Sequence, residues 1–246
     1  MGDDKAIWAS WYDIDKADKD RYLDWLHGTF LPFLEKEPNF LWVAHYRDIG
    51  GGTPLNEDGK PLIGFAEDAP ASGSQYLLIV AGKTTEAFLD PSVRALEKEW
   101  DRKFGGMLSL RRGLRSELLL EEKRVGGPAE PEGGYGLKPS PAIMFGTFRL
   151  PTPDHEYEMG SWYLKVRLPM MQETPGCIRV RKLVGVAGWA KYGAFYEFES
   201  DEDRQRWKAI NVLTVRDPNH WTSKVIPSTR HAPGSPTIGI RTWPAV

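Results

Sequence analysis

Cysteine is almost missing from this 246-residue chain, where Cys177 stands alone. A single thiol cannot close an internal disulfide, and without a CxxC pair there is no cysteine-based metal clamp. Histidine is scarce too. Five are present, none at HxH or HxxxH spacing, so no HExxH helix or other compact zinc-binding pair exists. The glycines at 50–52 do not build GxGxxG between a strand and a helix, and both GxxxxGK[ST] and a GxSxG elbow are missing. The common nucleotide cradles and the elbow-type acyl-enzyme hydrolases are thereby excluded. Charge of one sign is also lacking: 32 Lys and Arg against 34 Asp and Glu leave a formal charge of −2. No net field draws phosphate backbones or anionic lipid. No apolar run reaches the roughly 18 residues needed to cross a bilayer, and the N-terminal MGDDKAIW has neither a basic nor an apolar leader region. The resulting expectation is a cytoplasmic protein with no nucleic-acid partner, no membrane partner, no metal and no cofactor.

What the chain has in quantity is apolar and aromatic surface. Hydrophobic residues make up 41% and aromatics 12%, with 10 Trp, enough to offset the conformational entropy that keeps charge-rich chains unfolded. Shifting the sequence by 137 residues lays Trp25 on Trp162, Leu31-Pro32 on Leu168-Pro169 and Pro38 on Pro175 without a gap, and also Ile7-Trp8 on Met144-Phe145. A duplicated unit produces such a pattern. Each copy reads in one order. First strands fall at 6–14 and 142–150, followed by helices with polar starts at 13–20 and 152–154. In the first helix Tyr22, Trp25, Leu26, Phe30, Phe33 and Leu34 recur at helical spacing. Second strands are predicted at 40–46 and 177–186, third strands at 75–81 and 192–199, and last strands at 114–120 and 237–243. Second helices fit 85–104, interrupted by Asp90-Pro91, and 201–213. This order predicts an α+β fold of two tandem ferredoxin-like βαββαβ repeats, packed sheet to sheet around a largely apolar hollow with helices outside. The repeats span 1–125 and 142–246, joined by a Gly- and Pro-rich linker at 126–141. A stretch at 50–74 interrupts the first repeat as either a lid over a cavity or a floppy loop.

The first helix of each copy resembles the dimeric α/β-barrel superfamily, more narrowly its EthD-like branch, whose members often carry D-W-Y-x-x-E-H-L-P, then P-G-F, then R-Y. Asp24-Trp25, Leu31-Pro32, Pro38-Asn39-Phe40 and Tyr46 occupy those slots in the first copy. Trp162-Tyr163, Leu168-Pro169 and Pro175-Gly176 occupy them in the second. The resemblance implies a pseudo-dimer of the dimeric α/β-barrel type in a single chain. It also implies a range of activities: cofactor-free oxygenases, isomerases and lyases on small, often aromatic molecules, together with haem enzymes. One departure matters. Where the branch has Glu-His before Leu-Pro, this chain has Thr29-Phe30 and Val166-Arg167, so the chemistry of that histidine does not carry over.

Arg167, in the histidine's slot, is the leading catalytic candidate. His27 lies one helical turn before Phe30, where imidazole titrates near neutral pH and can serve as acid or base. His45 in the second strand and Tyr12 at the end of the first complete the catalytic set. Arg179 and Arg181 alternate onto one strand face with Lys182 on the other. That pair suits a carboxylate, phenolate or oxyanion, or else an edge bridged to acidic side chains. With Tyr46, Tyr196 and Phe30 they form the expected substrate-binding set. Leu164 and Arg167 stand where the first copy has His27 and Phe30, which implies one specialised pocket rather than two. From the resemblance we expect a cofactor-independent lyase acting on a small oxygenated aromatic compound by proton abstraction and carbon–carbon cleavage or elimination. The specific form is a formaldehyde-releasing, retro-aldol-type step. The alternatives are a cofactor-free monooxygenase, a haem enzyme, or a non-catalytic small-molecule binding protein. A homodimer is expected from the habit of the superfamily.

Overall fold

Runs of branched and aromatic residues alternate with helical periodicity twice along the chain, and the computed structural model, which describes residues 3–56, 58–70, 72–131 and 139–245, follows them closely. The first half runs β1 (Ala6–Ile14), α1 (Lys19–Trp25), a π-helical turn (Leu26–Phe30), α2 (Leu31–Leu34), β2 (Phe40–Asp48), a short β3 (Gly64–Phe65), β4 (Tyr76–Gly82), α3 (Val93–Lys103) and β5 (Arg111–Gly126). The second half runs β6 (Ala142–Arg149), α4 (Pro153–Trp162), a second π-helical turn (Tyr163–Arg167), α5 (Leu168–Gln172), β7 (Cys177–Ala187) and β8 (Tyr192–Phe198). It closes with α6 (Asp201–Arg216), α7 (Thr222–Val225), a short β9 (Arg230–His231) and β10 (Thr237–Trp243). Residues 132–138 of the predicted linker lie outside the described residues.

The strand order is β2-β4-β1-β5 in the first half and β7-β8-β6-β10 in the second. The halves join by hydrogen bonds along their edges, β5 to β7 and β10 to β2, into one closed eight-stranded antiparallel barrel. This differs from two sheets stacked face to face. The reason lies in β5: its 16 residues outrun the predicted 114–120, so Arg111–Leu120 pairs with β1 while Leu118–Gly126 pairs with β7. Joining the edges satisfies the backbone N–H and C=O groups that open sheets would leave bare.

Side chains pack the predicted hollow among the described residues. Ile7, Ala9, Trp11, Trp42, Ile79, Phe145 and Phe195, with their neighbours, fill the barrel interior. The opposite strand faces carry two further cores beneath the helices of each half. Alternation also corrects one coincidence of the 137-residue shift, because Ile7 points inward and Trp8 outward while Phe145 points inward and Met144 outward. The shift holds from the helices to the starts of β2 and β7, but β1 and β6 are out of step by one residue. A one-residue slip moves every side chain to the other face.

The π-helical turns sit at matching positions and have a visible cause. Pro32 and Pro169 follow one residue into α2 and α5, and a proline has no N–H to give to the carbonyl four residues back. The N–H groups of Leu31 and Leu168 instead reach back five residues, to the carbonyls of Leu26 and Tyr163. The predicted helix at 85–104 is split. A 3-10 turn covers Thr85–Phe88, and α3 starts only after Ser92, whose hydroxyl caps the Ala95 N–H.

Candidate functional site

The π-helical turn of the second half aims Arg167 at the outer face of β6 and β8, where it lines a cavity of about 60 Å³. Each wall follows from local periodicity. Ala194 and Tyr196 are two apart on β8, Met144, Gly146 and Phe148 alternate along β6, and Trp207 and Asn211 are one turn apart on α6. Met159 and Tyr163 complete the helical side. The roof comes from the first half, as Pro54 and Ile63 of the 50–74 stretch.

Arg167 is 3% exposed, and among the described residues no carboxylate pairs with it. Among the described residues its Nε and Nη1 find no hydrogen-bond partner, and neither does the buried indole Nε1 of Trp207. Its cation instead lies against aromatic rings, 4.6 Å from Trp162, 5.5 Å from Trp207 and 5.8 Å from Tyr196. The Tyr163 and Tyr196 hydroxyls are 3.5 Å apart, and burial, reinforced by Tyr196, pushes the Tyr163 phenol well above its usual range. His231 completes the polar lining. Its Nδ1 meets the Ser235 hydroxyl at 3.3 Å, and burial, aided by Arg115, pulls its pKa down to about 3, so it stays neutral. A buried guanidinium with open donors beside apolar walls is suited to a small anion.

In the first half the corresponding place is plugged. Phe30 stands in Arg167's position and packs on Trp25, Trp100 and Phe104 at 5.1, 5.7 and 5.7 Å between ring centroids. The remaining catalytic candidates meet here, not beside Arg167. His27 Nε2 is 3.0 Å from His45 Nδ1, and His45 Nε2 is 3.0 Å from the Tyr12 hydroxyl. Thr242 Oγ1 sits 2.8 Å from the same His45 Nδ1 and donates to the His45 carbonyl. The string continues inward through Tyr22, which accepts from Arg111 Nε at 2.7 Å, to the Arg111–Glu97 ion pair. Burial, with His27 and Arg111 adding to it, holds His45 well below its usual pKa. Burial also lowers the half-exposed His27, with Asp24 opposing, and it raises Tyr12 well above its usual range, reinforced by Tyr22.

Arg179, Arg181 and Tyr46 share neither place. They point into the barrel, on the opposite face of the sheet from the cavity, and are fully buried. Arg179 Nε donates to Glu197 at 2.7 Å, Arg181 reaches Glu197 at 3.0 Å and Asp4 at 2.8 Å, and the Tyr46 hydroxyl donates to the Ser140 carbonyl. Burial works against the charge on Glu197 and Asp4, yet these arginines, with Arg124 beside Asp4, hold both carboxyls below their usual range. The two guanidiniums do share a face, but chain carboxylates occupy them. Of the expected substrate-binding set only Tyr196 lines the Arg167 cavity, and Phe30 fills the corresponding place in the other half.

Sequence reasoning missed Trp207, Asn211, Pro54 and Ile63. The four-residue spacing of Trp207 and Asn211 within a helix was a usable signal, whereas the roof comes from another half of the chain and left none. In its closed form this cavity has no room for a haem. The one histidine among the cavity-lining residues is held by Ser235 and lies against Phe148 at 5.4 Å, and the space takes only a few water-sized groups. Among the described residues no group of three or more His, Cys, Asp and Glu side chains could hold a metal ion, and no helix is long and apolar enough to cross a membrane.

No protein-family model and no curated protein matches the sequence. Solved structures do share its fold. A monooxygenase candidate from Fusobacterium nucleatum aligns over 96% of this chain and 92% of its own at 10% identity, with a TM-score of 0.58. An anthrone oxidase-like protein aligns over 98% and 93% at 9% identity, TM-score 0.58. A chlorite dismutase candidate aligns over 97% and 95% at 13% identity, TM-score 0.54. At such identities the likeness establishes the fold alone, a closed antiparallel barrel with helices outside, and function is a matter for the site.

Proposed function

We propose that the chain is an enzyme that binds a small, flat, oxygenated aromatic compound as its anion in the second-half cavity, with Arg167 holding the negative oxygen. One observation carries this reading: a guanidinium that is 3% exposed, with open donors and, among the described residues, no carboxylate partner, lining a cavity whose other walls are mainly aromatic and apolar. A buried cation in that state is costly to keep, and an anionic ligand supplies the missing acceptor.

The reaction that follows is a lyase step. In the bound phenolate the Tyr163–Tyr196 hydroxyl pair gives a proton to the ring carbon that bears an ortho or para hydroxymethyl group, making a cyclohexadienone whose carbonyl oxygen faces Arg167. The hydroxymethyl hydroxyl then returns a proton to the tyrosinate, the carbon–carbon bond breaks, formaldehyde departs, and the electron pair restores the aromatic ring as a phenolate held by Arg167. Electrostatic holding of such an anion is the kind of assistance that contributes most in a dry site. A cofactor-free monooxygenase is the second reading, favoured by the fold likeness to a monooxygenase candidate and an anthrone oxidase-like protein. It uses the same anion, which then gives its electrons to dioxygen.

The test is a screen of hydroxymethyl phenols and enolisable aromatic ketones with purified protein, in the presence and absence of air. Formaldehyde release that persists without air supports the lyase. Oxygen uptake that stops without air supports the monooxygenase. Binding without turnover leaves a binding protein. The EthD-like descent of both halves, 1–125 and 142–246, as tandem ferredoxin-like copies belongs to this proposal. It is supported by their common strand order and by π-helical turns set 137 residues apart. Cytoplasmic residence and a homodimer complete it.

A further inference from the structure

The stretch between β2 and β4 belongs to the first half by sequence but reaches across to the second. It folds back on itself where Leu62 N–H donates to the Pro54 carbonyl and Leu55 bridges Pro61. β3 then lies parallel to β9, with Gly64 N–H on the Thr229 carbonyl and Ala66 N–H on the His231 carbonyl. Two side chains of α6 hold its other arm, Lys208 on the Gly51 carbonyl at 2.6 Å and Arg216 on the Leu55 carbonyl at 2.8 Å. Pro54 and Ile63 are buried beneath it and roof the Arg167 cavity. Glycine makes the approach possible at Gly52, where an added Cβ would stand 2.0 Å from the Pro236 carbonyl oxygen.

The volume makes this roof consequential. Cavities that take a benzene ring measure about 150 Å³, against about 60 Å³ here, so a ring enters only if a wall moves. Three walls are barrel strands and helices with cores of their own. The fourth is this strap, fastened by a two-residue ladder with β9 and by the hydrogen bonds from Lys208 and Arg216, with Pro54 and Ile63 beneath it. Segments with so few buried contacts open at the lowest free energy.

We propose that the strap, residues 50–56 and 58–66, is a hinged roof that lifts to admit the ligand and closes with Pro54 and Ile63 against its ring. This rests on the reading that the Arg167 cavity is the ligand site, so the test has an arm that needs no ligand. Ala194, a buried cavity-lining residue, is changed to Cys in a Cys177→Ser background, and its reaction with methyl methanethiosulfonate is timed. Gly52→Ala, which forces the strap off Pro236, and Ile63→Ala, which removes a roof contact, are each expected to speed labelling at least tenfold while the urea midpoint of unfolding stays near that of the parent. Labelling that is unchanged in both variants, or that rises only in step with global unfolding, overturns the roof. In the second arm benzoate binding is followed by stopped flow, with on- and off-rates expected to rise together in Gly52→Ala. Rates that do not change overturn the roof. Should benzoate and the phenols of the activity screen all fail to bind the parent protein, the functional reading falls, and the labelling arm alone decides whether the strap opens.

Discussion

Replacing Arg167 with methionine separates a side chain kept for function from one kept for stability. Two buried guanidinium N–H groups lack acceptors, and each unmade bond costs roughly 1–3 kcal/mol, about 2–6 kcal/mol together. Against this stand three ring contacts at 4.6, 5.5 and 5.8 Å, worth roughly 0.5–2 kcal/mol each. The terms nearly cancel, and methionine restores apolar packing against the same rings. We therefore expect Arg167→Met to unfold in urea, followed by tryptophan fluorescence, within about 2 kcal/mol of the parent on the side of greater stability. A bound anion should stabilise the parent by about 2.7 kcal/mol at a hundred times its dissociation constant, and the variant not at all. A loss of more than about 3 kcal/mol would make Arg167 a structural pillar, and equal stabilisation of both proteins by the anion would place the ligand elsewhere; either result refutes the reasoning.

Glu197 gives the opposite outcome, since it neutralises both Arg179 and Arg181 in the barrel. Glu197→Gln should cost about 3–5 kcal/mol in the same denaturation assay, and a loss below about 1 kcal/mol would mean the barrel charges are satisfied by other means. Phe30→Ala removes the plug of the first half and should cost about 3–5 kcal/mol without creating anion binding, as isothermal titration would report. His231 stays neutral in the fold down to about pH 3, whereas an unfolded histidine takes up its proton near 6.5. Its share of stability is therefore whole above about pH 6.5 and is lost at about 1.4 kcal/mol per pH unit as the pH falls from there toward the folded value. His231→Gln should flatten the drop between pH 7.5 and 5 by about 2 kcal/mol, and an unchanged drop would contradict it. The buried Cys177 thiol, pushed up to about 12 chiefly by burial, should resist iodoacetamide until the chain unfolds, as mass spectrometry would show.

Much of the fold was legible because it rests on local signals. Proline and periodicity placed the helices of both halves, and β1 and β10 fall at 6–14 and 237–243 as predicted. The same prolines explain the π-helical turns that carry Phe30 and Arg167, and the Phe-for-Arg difference pointed to unequal halves without saying which one holds the cavity. What stayed hidden depends on contacts between distant segments. Alternation put Arg179 and Arg181 on one face, but only the closed barrel decides that this face meets Glu197 and Asp4 and not solvent or substrate. His27, His45 and Tyr12 do converge, through bonds spanning 18 and 33 positions, yet nothing local says that they lie in a different half from Arg167. The lid-or-loop alternative at 50–74 turned on partners such as Thr229 and His231, more than 150 residues downstream.

The ring formed by β5 with β7 and β10 with β2 leaves none of its eight staves without a neighbour on either side. A second molecule has no free stave in that ring to zip onto, so pairing of two chains through those eight strands would require the ring to open. The last stave to be synthesised, β10, is also the one that locks the hoop, touching both β2 and β6. Without β10 the edge of β2 has no neighbour on that side, and a chain cut short before residue 237 would expose it as an adhesive seam.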